Sequence, residues 1–403
     1  MEGKSALADF ASIKHGFAFE GQFFSSQEKD YVLLTPGNFH VDQKLYFGSN
    51  TKYYDGPVPN EYILENGDLL VVMTDLTKDM VILGNAIILE SSKQVLHNQR
   101  IGKVQLLSKD IDQRYLCYLL NSNIVKDYVK ATASGTTVRH TSPSKILAAK
   151  HNFPPLPEQQ KIAQILSTWD KAIEKLEALI AAKQKRKKAL MQQLLTGKRR
   201  FAGFEGEWKW IRFDQILDIE IGGTPSRNNP DYWDKEKASK NRWLSIRDIK
   251  GRVIEDTKEY ITDLGVKKSN VTLIPAGSIV MSFKLTIGRA AILGKDCYTN
   301  EAICSLIPKG LNIVVTEFLI QALDIINFEQ EIDQAIKGKT LNKAKLGRLK
   351  INLPFVEEQQ HIAAILSAAD KEIENHQKQL TALKQQKKAL MQQLLTGKKR
   401  VRV

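Results

Sequence analysis

Only three cysteines, Cys117, Cys297 and Cys304, are spread over 403 residues, and no two form a Cys-x-x-Cys pair. Disulfide frameworks and structural zinc clusters need more thiols at closer spacing, so neither is expected. Seven histidines (His15, His40, His97, His140, His151, His361 and His376) are scattered, with no His-Glu-x-x-His pattern, and no metal site is expected. No apolar run approaches the ~20 residues of a membrane span. The opening residues, MEGKSALADF, lack the basic-then-apolar form of a secretion signal. A reducing, cytoplasmic setting without membrane contact is the expectation.

Catalytic signatures are also scarce. No Gly-x-Gly-x-x-Gly is present to receive a dinucleotide or S-adenosylmethionine, and no Gly-x-Ser-x-Gly elbow to expose a nucleophile. Gly338-Lys339-Thr340 ends like a Walker A loop, but Asp333 stands where its first glycine belongs. Asn229-Pro230-Asp231-Tyr232 is one letter from the N-P-P-Y of amino-methyltransferases, and without a Rossmann context it reads as an Asn-Pro turn. Asp231, Asp256 and Lys258 fit a permissive metal-dependent nuclease pattern, two carboxylates on Mg²⁺ with a lysine beside the nucleophile. A stand-alone nuclease is therefore one alternative, and a coiled-coil adaptor indifferent to DNA sequence is another. The main expectation is a binding protein with no catalytic residues.

What is present is an ordinary globular composition, 42% hydrophobic and 26% charged, with a net charge of +14. The length implies two to four domains, and the basic balance suggests an anionic partner such as nucleic acid. Residues 150–200 and 350–400 align without a gap, with 29 identities in 51 pairs. Twelve are consecutive: KKALMQQLLTGK runs from Lys187 to Lys198 and again from Lys387 to Lys398.

Each copy reads as one long helix. Steps of four and three run through Ile162, Leu166, Trp169, Ile173, Leu176, Ile180, Lys183, Lys187, Leu190 and Leu194. The second copy gives Ile362, Leu366, Ala369, Ile373, His376, Leu380, Leu383, Lys387, Leu390 and Leu394. A period near 3.5 is a coiled-coil seam. Prolines precede each helix, acidic residues open it, and Gly197 and Gly397 stand as C-terminal stops. About 39 residues at 1.5 Å make a rod of roughly 58 Å. Since the chain carries its own partner helix, an intramolecular antiparallel pair is expected, with the domains at opposite ends. Lys183, Lys187, His376 and Lys387 interrupt the seam. They read either as side chains snorkelling from a loose middle or as devices that set register.

The intervening segments are weakly similar. Gly67 to Val71 corresponds to Gly277 to Met281, Gly84 to Leu89 to Gly288 to Leu293, and Gly135-x-Thr137 to Gly338-x-Thr340. These are short β-rich runs bounded by turn residues, while 113–130 and 316–335 look helical. The fold class is thus α+β: two similar α/β domains joined by two long antiparallel coiled-coil helices, with pseudo-twofold organisation. The domains are 1–153 and 200–353, and the helices 154–199 and 354–403. Net charge is 0 over residues 1–150, +7 over 151–200, +3 over 201–350 and +4 over 351–403, so the excess sits mainly on the helices and their tails.

Two segments, Pro154-Pro155-Leu156-Pro157-Glu158-Gln159-Gln160-Lys161-Ile162-Ala163 and Pro354-Phe355-Val356-Glu357-Glu358-Gln359-Gln360-His361-Ile362-Ala363, each lead into a helix ending LMQQLLTGK. With Ile221-Gly222-Gly223-Thr224-Pro225-Ser226-Arg227, Tyr232-Trp233 and Trp243-Leu244-Ser245-Ile246, this arrangement resembles the specificity subunit of type I restriction–modification systems. The first domain departs from the pattern, with no G-G-T-P and no tryptophan. The resemblance implies target recognition domains that each read one half of a split, asymmetric site in double-stranded DNA. It implies helices that set the spacer and dock two modification (methyltransferase) subunits, and restriction subunits that join them. S-adenosylmethionine, Mg²⁺ and ATP would belong to those partners, with no cofactor on this chain.

Base readout needs donors and acceptors on loops or strands, with Arg, Lys, Asn and Gln preferred. The candidates are Lys78, Thr136, Thr137, Arg139 and His140 in the first domain. In the second they are Thr224, Ser226, Arg227, Lys284, Arg289, Lys339 and Asn342. Four of five tryptophans (Trp208, Trp210, Trp233, Trp243) lie in the second domain, so the two half-sites should differ.

Overall fold

A computed structural model describes residues 3–284, 286–310, 312–328, 333–335, 338–340 and 342–402. It divides into two units, Met1–Glu177 with Lys378–Val403, and Ala178–Gln377. Each unit holds one globular domain, part of one long helix and part of the other.

The two domains share one strand plan. In the first, an antiparallel sheet runs in the order Ala11–His15, Ile101–Leu106, Leu69–Val72, Ala86–Ile88. In the second, Leu217–Ile221, Ile303–Pro308, Ile279–Ser282 and Ala290–Leu293 follow the same order, with Val253–Ile254 added at the edge. A further mixed sheet in each domain is built on a parallel pair, Tyr31–Leu34 with Gln94–His97 and Arg242–Leu244 with Cys297–Thr299.

Side-chain alternation divides the core of each domain. Leu69–Val72 is apolar at every position, the pattern of a strand covered on both faces. Leu69 and Val71 join a core with Tyr115, Leu116 and Leu119 that also takes Ile162 and Leu166 of the first long helix and Leu394 of the second. Leu70 and Val72 turn to a separate core with Leu34, Val95 and Ile101. In the second domain Ile279 and Met281 face the helix-side core and Val280 the other.

The long helices are Leu156–Leu194 and Val356–Leu395. Along the seam Ile162, Leu166, Ile173, Ile180, Leu194, Ile362, Leu366, Ile373 and Leu394 are buried. Trp169, Leu176, Leu190, Leu380, Leu383 and Leu390 are half-buried. In the first unit Glu158 pairs with Arg400 and Asp170 with Lys387; in the second Glu358 pairs with Arg200 and Asp370 with Lys187. Numbers rise in one helix as they fall in the other, so the pairing is antiparallel in both units. It is also the same pairing under the 200-residue offset.

Snorkelling does not describe the lysines of the seam. Lys187 is only 8% exposed, with its ammonium on Asp370, and Lys183 and Lys387 likewise meet carboxylates of the opposite helix, Glu372 and Asp170. His376 lies beside Glu372 of its own helix. A positive charge that close to a core needs a counter-charge, and the facing helix supplies it.

The repeated Glu-Gln-Gln also has a physical explanation. Gln159 accepts from the Asp112 amide (3.0 Å) and donates to the carbonyls of Asp110 and Pro154 (2.9 and 2.8 Å). Gln359 repeats this with the Val315 amide and the carbonyls of Ile313 and Pro354. The glutamate before each glutamine takes the arginine that follows the opposite helix, Arg400 on Glu158 and Arg200 on Glu358. Gly197 and Gly397, both at φ 71°, turn those tails out of the helix. The motif thus ties the head of one helix to its domain and to the tail of the other.

Cys297 and Cys304 are buried, and burial pushes both thiols up to about 12, which keeps them unreactive. Among the described residues no helix is long and apolar enough to cross a membrane.

The first unit should be the acid-labile one. His97 and His151 are buried, bonded to the Ile101 carbonyl (2.9 Å) and the Tyr115 hydroxyl (2.8 Å), and burial lowers both to about 4. The unfolded chain binds these protons near 6.5 and the folded unit near 4, so stability falls as pH drops between those values. The loss is at most roughly 3 kcal/mol per histidine. In the second unit His361 is exposed and His376 half-buried. Calorimetry at pH 7.5 and 5.0, with tryptophan fluorescence in a Trp169→Phe background marking the second unit, should show one transition falling much further than the other. Equal shifts would contradict this assignment.

Candidate nucleic-acid interface

In the first unit the fold brings the candidates together. The short strand Arg139–His140 pairs antiparallel with Thr74–Asp75. This sets the loop carrying Lys78 beside the turn carrying Thr136 and Thr137. Lys78, Thr136 and Thr137 are exposed. Arg139 donates to the Gly135 carbonyl at 2.6 Å, and its Nε is buried without a partner. His140 Nδ1 lies 3.1 Å from the Thr74 hydroxyl.

In the second unit they fall into separate groups. Gly222 and Gly223 pack so closely that a Cβ would strike the Thr299 carbonyl and the Asn270 side chain, and the Trp243 indole donates to the Gly223 carbonyl at 2.9 Å. This explains a Gly-Gly pair followed at a distance by tryptophan. Thr224 donates to Glu301, and Ser226 is exposed. Arg227 stacks 3.6 Å over Trp233 while its fork grips Glu259 at 2.5 and 3.2 Å. Its donors are already engaged, so direct reading of guanine would require Glu259 to be displaced. Lys284 is half-buried over Phe283, Arg289 is exposed, and Asn342 caps the helix Lys343–Arg348 by accepting from the Lys345 amide at 2.9 Å. The side chain of Lys339 lies outside the described residues.

The family model described as the type I restriction modification DNA specificity domain matches this chain twice, over residues 3–184 and 205–385. The chain belongs to that family. This specificity subunit is 25% identical over 364 residues to the type I restriction enzyme MjaVIII specificity subunit of Methanocaldococcus jannaschii, covering 85% of this chain and 81% of that one. To the EcoBI specificity subunit of Escherichia coli it is 26% identical over 385 residues, covering 89% and 77%. In fold it is similar to the S subunit of M. genitalium (TM-score 0.61, 16% identity, covering 98% of this chain and 96% of that one). It is also similar to a chain from a study of assembly and conformational transition of the type I R-M system (TM-score 0.60, 15% identity, 98% and 97%).

Of the nuclease-pattern residues, Asp256 has other partners in this specificity subunit. Asp256 accepts from the Tyr260 hydroxyl and lies near Lys237 and Arg242, a setting that lowers its carboxyl, with the tyrosine bond the largest cause. Asp231 is exposed in a turn begun by Asn229. Among the described residues no group of three or more His, Cys, Asp or Glu side chains is placed to hold a metal ion.

Two residues beside the first-unit site escaped the sequence reading. Asp75 is fully buried beneath the loop of Lys78, and Leu76 stands 66% exposed on it. A signal existed: the offset between the domains falls from 210 at Gly67 and Gly277 to 204 at Gly84 and Gly288, which places six extra residues in the first domain.

Proposed function

We propose that this specificity subunit reads a bipartite, asymmetric DNA site, one half through each domain, as the non-catalytic member of a modification and restriction complex. The observation that carries this reading is two copies of one sheet plan with different exposed loops, each tied by the same Gln and Glu contacts to the long helices. Equivalent scaffolds with unlike loops suit unlike half-sites. The helices, each roughly 58 Å long, set the spacer between the half-sites, against about 34 Å for one turn of DNA. Two methyltransferase subunits dock on the helices, and restriction subunits join from there. S-adenosylmethionine, Mg²⁺ and ATP act on those partners, and the assembly works in the cytoplasm.

Sequencing that reports methylated bases, in a host carrying this chain with its modification subunit, tests the proposal. Two short unlike segments separated by unspecified bases are expected. A single contiguous target, or no methylation, would contradict it.

A further inference from the structure

The two domains carry the same sheet but differ between two equivalent backbone anchors. In the first unit the Val72 amide donates to the Asn85 carbonyl, and the Val72 carbonyl accepts from Gly84. In the second, Ser282 makes the same pair of bonds with Arg289 and Gly288. Between the anchors lie eleven residues, 73–83, in the first unit and five, 283–287, in the second.

The extra residues are held, not slack. One carboxylate oxygen of Asp75 accepts from the amide and hydroxyl of Thr77, both at 2.7 Å. The other accepts from the amides of Ile82 and Leu83 at 2.7 and 3.0 Å. Four donors from both limbs of the loop converge on one buried charge, and Met80 turns the chain at φ 50°. A lone exposed leucine is unremarkable on a protein surface. Here, however, a rigid loop holds Leu76 outward at 66% exposure with exposed Lys78 two residues on. The strand Arg139–His140 pairs directly with Thr74–Asp75, and Lys130 donates to the Asp79 carbonyl at 3.4 Å. Lys78 on the loop, with Lys130 and Arg139 beside it, thus sets three cations against the one exposed acid at its tip, Asp79.

We infer that residues 74–83 are the specificity-determining loop of the first domain. Asp75 is its positioning residue, Leu76 makes an apolar contact with a base edge, and Lys78 supplies a donor. The base chemistry that an aliphatic side chain reads in the major groove is the thymine methyl group, so Leu76 fixes an A·T position. Pinning the loop before DNA arrives removes an ordering cost from binding. The second domain, with five residues between its anchors, reads its half-site by other elements. This inference rests on the reading of paired half-sites above.

The test uses the assembled complex with its modification subunit and maps methylated sites for three chains. Wild type defines both half-sites. A Leu76→Ala, Lys78→Ala double variant changes only exposed side chains. It is expected to lose discrimination roughly tenfold or more at one or two positions of one half-site, an A·T pair among them, and to leave the other half-site intact. Asp75→Ala keeps both outward side chains but removes the pin, and should relax the same positions and no others. An unchanged pair of half-sites in the double variant overturns the inference, as does relaxation by Asp75→Ala at different positions. A wild-type complex without any bipartite site would instead overturn the reading of function beneath it.

Discussion

Replacing Asp370 by alanine is expected to destabilise the second unit by about 3 kcal/mol, the lower end of the range for breaking a buried ion pair, because Asp370 keeps some contact with water. The carboxylate takes the Lys187 ammonium at 2.5 Å and the Gln321 amide at 2.7 Å, and it lies 3.5 Å from Arg252 Nε. It therefore ties the first long helix and the domain to the second. Without it Lys187, 8% exposed, holds a charge with little water to solvate it. Adding Lys187→Met should recover most of the loss, because an apolar pair of similar volume commonly replaces a buried ion pair at little or no cost. Urea denaturation of the two variants and the parent checks both steps. A loss under 1 kcal/mol in Asp370→Ala, or no recovery in the double variant, would show that the pair does not hold the seam. Asp170 makes a similar but more exposed set in the first unit, with Lys387 and the Tyr118 hydroxyl, and the same pair of substitutions there should have a smaller effect.

Much of the scaffold was legible because it depends on periodicity. A 3.5-residue stripe written twice specifies two helices and their seam wherever the rest of the chain goes. The role of the stripe's lysines was not legible, since their counter-charges Asp370 and Asp170 stand more than 180 residues away. The repeated Glu-Gln-Gln was plain as a motif, but its job needs the opposite helix tail and a domain loop brought to it. The first domain has no Gly-Gly pair at the matching position, yet Gly16 packs against the Asn98 carbonyl as Gly222 packs against that of Thr299. Phe17 stands in the next position, within an aromatic cluster with Phe19 and Tyr62 in place of a tryptophan. For the DNA-contact candidates, residue type alone does not show which donors are already engaged within the domain. Arg227 has the side chain best suited to guanine, but it is stacked on Trp233 and paired with Glu259, which lies 32 residues on. The charge excess reads differently as well. Lys183, Lys187, Arg200, Lys384, Lys387 and Arg400 all meet carboxylates within their own unit, so a good part of the basic charge on the helices is engaged in cohesion.

The largest functional effect should come from lengthening both helices. Four residues inserted after Glu177 and four after Gln377 lie at the boundary between the units. Each insertion adds about 6 Å of helix, and a four-residue step is the interruption a heptad seam absorbs with least disturbance. Neither domain gains or loses a residue. If the helices set the spacing while the domains read bases, the two functions separate. Mapping methylated sites for the parent and the lengthened chain, each assembled with its modification subunit, tests this directly. The same two half-site sequences are expected, with one or two more unspecified base pairs between them. Altered half-site sequences, or an unchanged spacer in a complex that still methylates, would contradict it.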